Sequence, residues 1–174
     1  MFTPWPKDRT PARVTGDERA MANSLLDFHR ETVLAKCEEL SEEQLRTTPV
    51  PNSPHSLIGI LRHLTHAELF WSQEVLEGKS VHEIGYFYGT ENDDPDFFNL
   101  ISHPISEVFT NFQSSVDRSR KSMASKDLDA HFFSSAYGRE VSARFVHLHL
   151  LEEYARHLGH MDMIREALDG KIGY

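Results

Sequence analysis

One uninterrupted helix-forming run, residues 139–170, constrains the fold more than any other part of the chain, and it holds four of the eleven histidines. Because an α-helix turns about 100° per residue, side chains separated by steps of three and four return to the same side. Steps of four, four and three join His149, Glu153, His157 and His160. We call these four side chains the histidine stripe.

The histidine stripe is typical of a metal ligand set, since neutral imidazoles and a carboxylate suit zinc, nickel or iron. Helical phase favours Glu153 over Glu152, which lies five residues before His157 and points about 140° away. The stripe still needs a further ligand from another part of the chain. The alternative interpretation is that these histidines are packed polar residues, hydrogen-bonded across the fold or solvated.

Composition limits the class of protein. A chain of 174 residues with 39% apolar residues predicts a single domain covering residues 1–174. The net charge of -9 argues against a nucleic-acid partner. Cys37 is the single cysteine, so no internal disulfide is expected, and no segment reads as a signal sequence or a membrane span. We expect a cytoplasmic protein with no membrane partner.

The periodicity of apolar residues predicts four long helices and no strand. Residues 1–14 contain three prolines and predict an extended amino-terminal arm. Helix one is predicted over 16–39 with a capping box at Thr15 and Glu18, and a short capped turn follows at Ser41 and Gln44. Helix two is predicted to start at a cap formed by Ser53 before Pro54 and to end at Gly78.

Residues 79–103 predict a long crossover loop with one short turn, and helix three is expected over 104–125. Tyr86, Phe87 and Tyr88 in the crossover suit a lid, a dimer contact or loop packing. Helix four is predicted from about Val141 to Leu168, with a stop at Gly170. The fold class is therefore all-α, a four-helix bundle with a long crossover between helices two and three.

In such a bundle, helices two and four can face each other, which makes His63 the natural third ligand beside Glu153 and His157. Three protein ligands leave at least one coordination position for water or substrate. The roles of His149 and His160 stay open between a further ligand, support of a ligand and a substrate contact.

Two segments resemble a known family. Residues 56–64 (SLIGILRHL), continuing through Glu68 and Trp71, and residues 144–160 (RFVHLHLLEEYARHLGH) are similar to the DinB-like (YfiT-like) metalloprotein superfamily. The similarity is closer to its branch of mycothiol-dependent transferases and maleylpyruvate isomerase. The resemblance implies a divalent metal, zinc first and nickel or iron as alternatives, held by His63, Glu153 and His157.

The resemblance also implies S-transfer or isomerisation of small electrophiles with a low-molecular-weight thiol as cosubstrate, and it is compatible with a homodimer. Arg144, His160 and Trp71 are the expected substrate contacts. Cys37 is expected to be a small buried side chain, so the protein supplies no nucleophile of its own. The alternatives are a non-catalytic, metal-stabilised helical bundle or binding module, and a hydrolase that uses metal-activated water.

Overall fold

A computed structural model of the protein describes residues 9–85 and 104–172. These residues are mostly helical, with one small sheet of two strands. A π-helical segment, Phe70–Val75, continues the third helix. In chain order the elements are α1 (Glu18–Ala35), α2 (Glu42–Arg46), α3 (Leu57–Leu69), α4 (Val81–Ile84), α5 (Ile105–Ser125), β1 (His131–Ser134), β2 (Arg139–Ser142) and α6 (Ala143–Asp169).

Helix α3 lies at the centre of the packing. It contacts both α5 and α6, and α1 packs along α6. Apolar residues on consecutive turns explain this position, because a helix that is apolar over most of its circumference is stable only when it is covered. The apolar α3 residues with no exposed surface are Leu57, Ile58, Ile60, Leu61 and Leu64. The arrangement brings one side of α3, including His63, against α6.

The predicted helix starts are partly wrong. Helix α1 is capped by Asp17, which accepts a hydrogen bond from the backbone N–H of Ala20, and not by Thr15. Helix α3 begins three residues later than predicted, at a cap formed by Ser56. The hydroxyl of Ser53 accepts a hydrogen bond from the backbone N–H of His55, so it is used before the helix begins.

Other boundaries match the sequence more closely. The predicted short turn is α2, with a complete capping box between Ser41 and Gln44. Helix α6 starts after Ser142, which accepts a hydrogen bond from the N–H of Phe145. It ends at Gly170 in the left-handed conformation (φ 77°), as predicted. Helix one, by contrast, ends at Ala35 and not at residue 39.

The prediction that the chain has no strand is wrong. Strands β1 and β2 form an antiparallel hairpin in which His131 pairs with Ser142 and Ser134 pairs with Arg139. Four residues a strand are too few to reveal alternation in the sequence. The segment before β1 also supports α6, since the carbonyl of Ala130 accepts a hydrogen bond from the N–H of Ala143. The hairpin therefore leads directly into the helix that carries the histidine stripe.

Part of the predicted arm and crossover lies outside the described residues. The described end of the arm lies alongside α1. The N–H of Thr10 donates to Glu31 and that of Arg13 donates to Ser24. One short turn was predicted within residues 79–103, and helix α4 lies at the start of that segment. The prediction for residues 86–88 falls outside the described residues. Among residues 9–85 and 104–172, no helix has the length and apolar character needed to span a membrane.

Candidate metal centre

Helices α3 and α6 bring three predicted ligands together. The Nε2 atom of His63 lies 3.3 Å from Oε2 of Glu153, and Nε2 of His157 lies 3.3 Å from the same oxygen. One donor atom from each residue lies within 4.8 Å of the other two. Within the described part of the chain, this group could hold a metal ion.

The phase of α6 selects the carboxylate that joins this group. Glu153 and His157 are one helical turn apart, and their side chains are mostly buried. Glu152 is exposed, and it pairs along the surface with Arg156 at 2.6 Å. Glu153, and not Glu152, therefore faces α3, and its role as a metal ligand stays a prediction.

The electrostatics of the group favour an ionised carboxylate. Hydrogen bonds from His157 and then from His63 lower the pKa of Glu153 well below its ordinary value, against the opposing effect of burial. Since an ionised carboxylate only accepts hydrogen bonds, each imidazole that bonds to it donates its Nε2–H. A metal ion would take the place of these protons.

The donor set fits a divalent metal in chemistry and in spacing. Bonds of about 2.1 Å at tetrahedral angles place neighbouring ligand atoms about 3.4 Å apart. The two contacts of Glu153 Oε2, at 3.3 Å each, are close to that distance. Two imidazoles and one carboxylate also form a ligand set known for zinc sites that keep an open position.

The two ends of the histidine stripe have different surroundings. His149 lies next to the group, with its Nε2 atom 3.6 Å from Oε1 of Glu153. Its ring packs against that of Trp71, with the two centroids 4.7 Å apart. The ring of His160 stacks on His55 at 5.0 Å. Burial, followed by the charge of His157, lowers the pKa of His160.

Neither His149 nor His160 belongs to the group of three donors. The centroid of the His160 ring lies 5.5 Å from that of His157, so His160 packs against this candidate metal ligand. Its Nδ1 atom is buried and has no hydrogen-bond partner among residues 9–85 and 104–172. The predicted role of His160 as a substrate contact stays a prediction.

A pocket of about 360 Å³ opens beside His63 and Glu153. The other residues of its described lining are His66, Ala67, Phe70, Trp71, Ala136 and His149. Trp71 was predicted from the sequence as a substrate contact. Phe70 and Ala136 were not, because the first depends on the π-helical segment and the second on the hairpin. A substrate in this pocket would lie next to the candidate metal ligands.

Arg144, the third expected substrate contact, lies outside this lining. Its Nε atom donates to Glu18 at 2.9 Å, and its Nη1 atom donates to Asp129. Its predicted role with an anionic group stays a prediction. Cys37 is buried as expected, and burial raises the pKa of its thiol to about 12.

A second polar cluster lies between the same helices. The Nε and Nη2 atoms of Arg30 donate to the two oxygens of Glu68, at 2.7 and 2.8 Å, and the hydroxyl of Tyr154 donates to Glu68 at 2.7 Å. Glu68 has no exposed surface. It therefore cross-links α1, α3 and α6 and does not line the pocket. Tyr154 directly follows Glu153, so this network also holds the backbone beside the candidate ligand.

The fold and the site together define a mostly helical protein with a candidate metal centre at the side of an open pocket. The chain belongs to the mycothiol S-transferase family, whose model matches residues 21–170. This places it in the DinB-like superfamily and confirms the resemblance noted in its sequence.

A solved structure of low sequence identity has the same fold. It is described as the conserved protein of a locus from Enterococcus faecalis, and it superimposes with a TM-score of 0.71 over 90% of this chain and 100% of that chain. The two sequences are 11% identical, so the likeness concerns the fold alone. No curated protein matches the chain.

Proposed function

We propose that this protein is a metal-dependent S-transferase that joins a low-molecular-weight thiol of the mycothiol type to small electrophiles. The observation that carries the proposal is the convergence of His63, Glu153 and His157 beside an open pocket. Membership of the mycothiol S-transferase family supports a thiol as cosubstrate. Zinc is the first choice of metal, with nickel and iron as alternatives, because the donors are two imidazoles and a carboxylate.

A divalent ion, when bound, lowers the pKa of a coordinated thiol and so favours its thiolate form. The residues of the chain have separate tasks. Glu153 supplies one negative charge, the imidazoles of His63 and His157 supply neutral donors, and the pocket wall lines the space beside them. The wall also holds the electrophile close to the thiol sulfur.

The transfer balances without a protein nucleophile. The thiolate sulfur forms a bond to the electrophilic carbon, and the bond between that carbon and the leaving group breaks. The leaving group departs with the electron pair, and the proton of the thiol goes to solvent. Cys37 takes no part, since it is buried and its raised pKa keeps it a thiol at neutral pH.

The finer structural expectations belong to the same proposal. They are a four-helix bundle with a crossover over residues 79–103, and a homodimer. Trp71 is proposed to contact the electrophile, and Arg144 and His160 are proposed to contact polar groups of the substrates. Of these three, Trp71 has the direct support of its place in the pocket lining.

The first test measures the metal. Elemental analysis of protein purified without added metal should find a divalent ion in equimolar amount, and the His63→Ala variant should lose it. His131→Ala is the matched control, because His131 is an exposed histidine of β1 whose nearest charged partner is Glu140. Loss of the metal in neither variant, or in both, would contradict the assignment of the ligands.

The second test measures the reaction. A bromobimane should be conjugated faster than in buffer, with a preference among mycothiol, glutathione and cysteine, and the acceleration should disappear when the metal is chelated. Equal rates with and without chelator would rule out the proposal. Bound metal without any conjugation would favour the non-catalytic alternative, and hydrolysis of an activated ester or amide would favour metal-activated water.

A further inference from the structure

We propose that the pocket beside His63 and Glu153 is a binding site for a flat, uncharged aromatic group, and that the electrophile accepted by this protein carries such a group. The second half of the statement rests on the proposed S-transfer. The first half concerns binding alone and can be tested without the reaction.

The wall of the pocket is aromatic and held rigidly. Trp71 is buried, and its ring meets that of Phe70 edge to face at 5.0 Å and that of His149 at 4.7 Å. Behind it, Phe145 lies 5.8 Å away and Tyr137 lies 6.1 Å away. Packing from several sides fixes the indole before a ligand arrives, which lowers the entropy lost on binding. Aromatic rings in such a wall favour stacked or edge-to-face contact with another ring.

The size of the pocket is set by two small side chains. They are Ala67 on α3 and Ala136 at the tip of the hairpin, and both belong to the described lining. The resulting volume of about 360 Å³ is near the lower end of the range for small-molecule sites. One or two fused rings fit such a space. A larger residue at either alanine would occupy it.

The charged side chains of the described lining favour a neutral ligand in the metal-free protein. The described lining contains no lysine or arginine, and its one carboxylate is Glu153. Arg144, the arginine expected to meet an anion, is paired with Glu18 and Asp129 away from the pocket. In the metal-free protein, an anionic ring would therefore meet a carboxylate without a compensating cation from the described lining, which is unfavourable.

Tryptophan fluorescence can report on this site, because the chain has two tryptophans and Trp71 is in the pocket wall. A Trp5→Phe background removes the other signal. Three unreactive probes of similar size are added to chelated, metal-free protein to separate aromatic, saturated and anionic ligands: 2-acetylnaphthalene, its saturated decalin counterpart and 2-naphthoate. We expect 2-acetylnaphthalene to quench Trp71 and to bind at least about tenfold more tightly than either of the others.

Two variants should reduce this binding by about tenfold or more, because each fills the space of the ligand: Ala136→Leu and Ala67→Leu. Ala136 is exposed, so its replacement is compatible with folding even if that of the buried Ala67 is not. Ala124→Leu, at an exposed position of α5, is the matched control. Thermal unfolding followed by circular dichroism checks that each variant is folded.

The outcomes separate the two proposals. Equal or tighter binding of 2-naphthoate or the decalin compound, or unchanged affinity in both pocket variants, would overturn the aromatic site. Aromatic binding without conjugation of bromobimane would refute the transferase and leave the binding site standing. Conjugation with no preference for aromatic over saturated electrophiles would overturn the second half of the proposal.

Discussion

Two carboxylates lie between the same pair of helices, and their surroundings differ. Glu68 has no exposed surface, and its oxygens accept hydrogen bonds from Arg30 and Tyr154. Glu153 has a side chain that is 14% exposed, has imidazole neighbours and lines a pocket. The permanently charged guanidinium of Arg30 bonds to both oxygens of Glu68. The imidazoles around the second can exchange their protons for a metal, which makes it suited to chemistry and the first suited to holding the helices together.

The largest effect on stability is expected when the cluster of Arg30, Glu68 and Tyr154 is broken. Arg30→Met leaves the Glu68 carboxylate buried without its cation, and we expect a loss of about 3–5 kcal/mol in the free energy of unfolding. Urea denaturation of metal-free protein measures it. Arg120→Met is the control, since Arg120 forms exposed ion pairs with Asp27 and Asp117 and should lose less than about 1 kcal/mol. A small loss in Arg30→Met would show that the cluster does not hold the fold.

The second effect concerns the three candidate metal ligands, His63, Glu153 and His157. Zinc added at about 100 times its dissociation constant should stabilise the wild-type protein by about 2.7 kcal/mol, because it binds the folded state. His63→Ala should show no such gain. In the presence of chelator, the two proteins should unfold at similar urea concentrations. A large loss in chelated His63→Ala would mean that the imidazole is structural.

A smaller effect tests whether the clusters are independent. Tyr154→Phe removes one hydrogen bond to the buried Glu68 carboxylate and should cost about 2 kcal/mol. The metal content should stay equimolar, since Tyr154 is not one of the candidate ligands. If the variant loses its metal, the network of Glu68 positions Glu153 through the adjacent residue.

The smallest effect is a pH dependence outside both clusters. Burial lowers the pKa of His147, although its Nδ1–H donates to the carbonyl of Ala143, which opposes the shift. The folded state therefore favours the neutral imidazole, whereas the unfolded chain protonates near pH 6.5. The stability from this group is complete above about pH 6.5 and is lost as the pH falls towards the lower folded pKa.

His147→Gln should accordingly flatten the decrease in stability between about pH 7 and pH 5, measured by urea denaturation of chelated protein. His131→Gln is the control, since His131 is exposed. An unchanged slope in His147→Gln would remove His147 as a cause of the pH dependence.

Helical periodicity predicted the parts of the site that depend on one helix. The phase of α6 selects Glu153 over Glu152, and the spacing to His157 is a single turn. His63 followed from the expectation that two helices face each other, and the packing of α3 against α6 agrees with it. These predictions rest on side chains that recur at fixed angles around an axis, which a sequence encodes directly.

Contacts between distant segments could not be predicted in the same way. Arg30 and Glu68 are 38 residues apart, and nothing in the spacing of charges identifies them as partners. Ala136 reaches the pocket because a hairpin too short to show alternation folds over it. The start of α3 was misplaced because Ser53 precedes a proline that suits the first position of a helix. In the structure, Ser56 is the residue whose hydroxyl accepts the capping hydrogen bond, from the N–H of Gly59.

The most direct measurement of the central claim uses cobalt in place of the native metal. On addition of a thiol to the cobalt protein, we predict a sulfur-to-cobalt charge-transfer band, which reports a thiolate bound at an open position beside His63, Glu153 and His157. The band should be absent in His63→Ala and present in His131→Ala. A cobalt protein whose spectrum does not change with mycothiol, glutathione or cysteine would contradict the account.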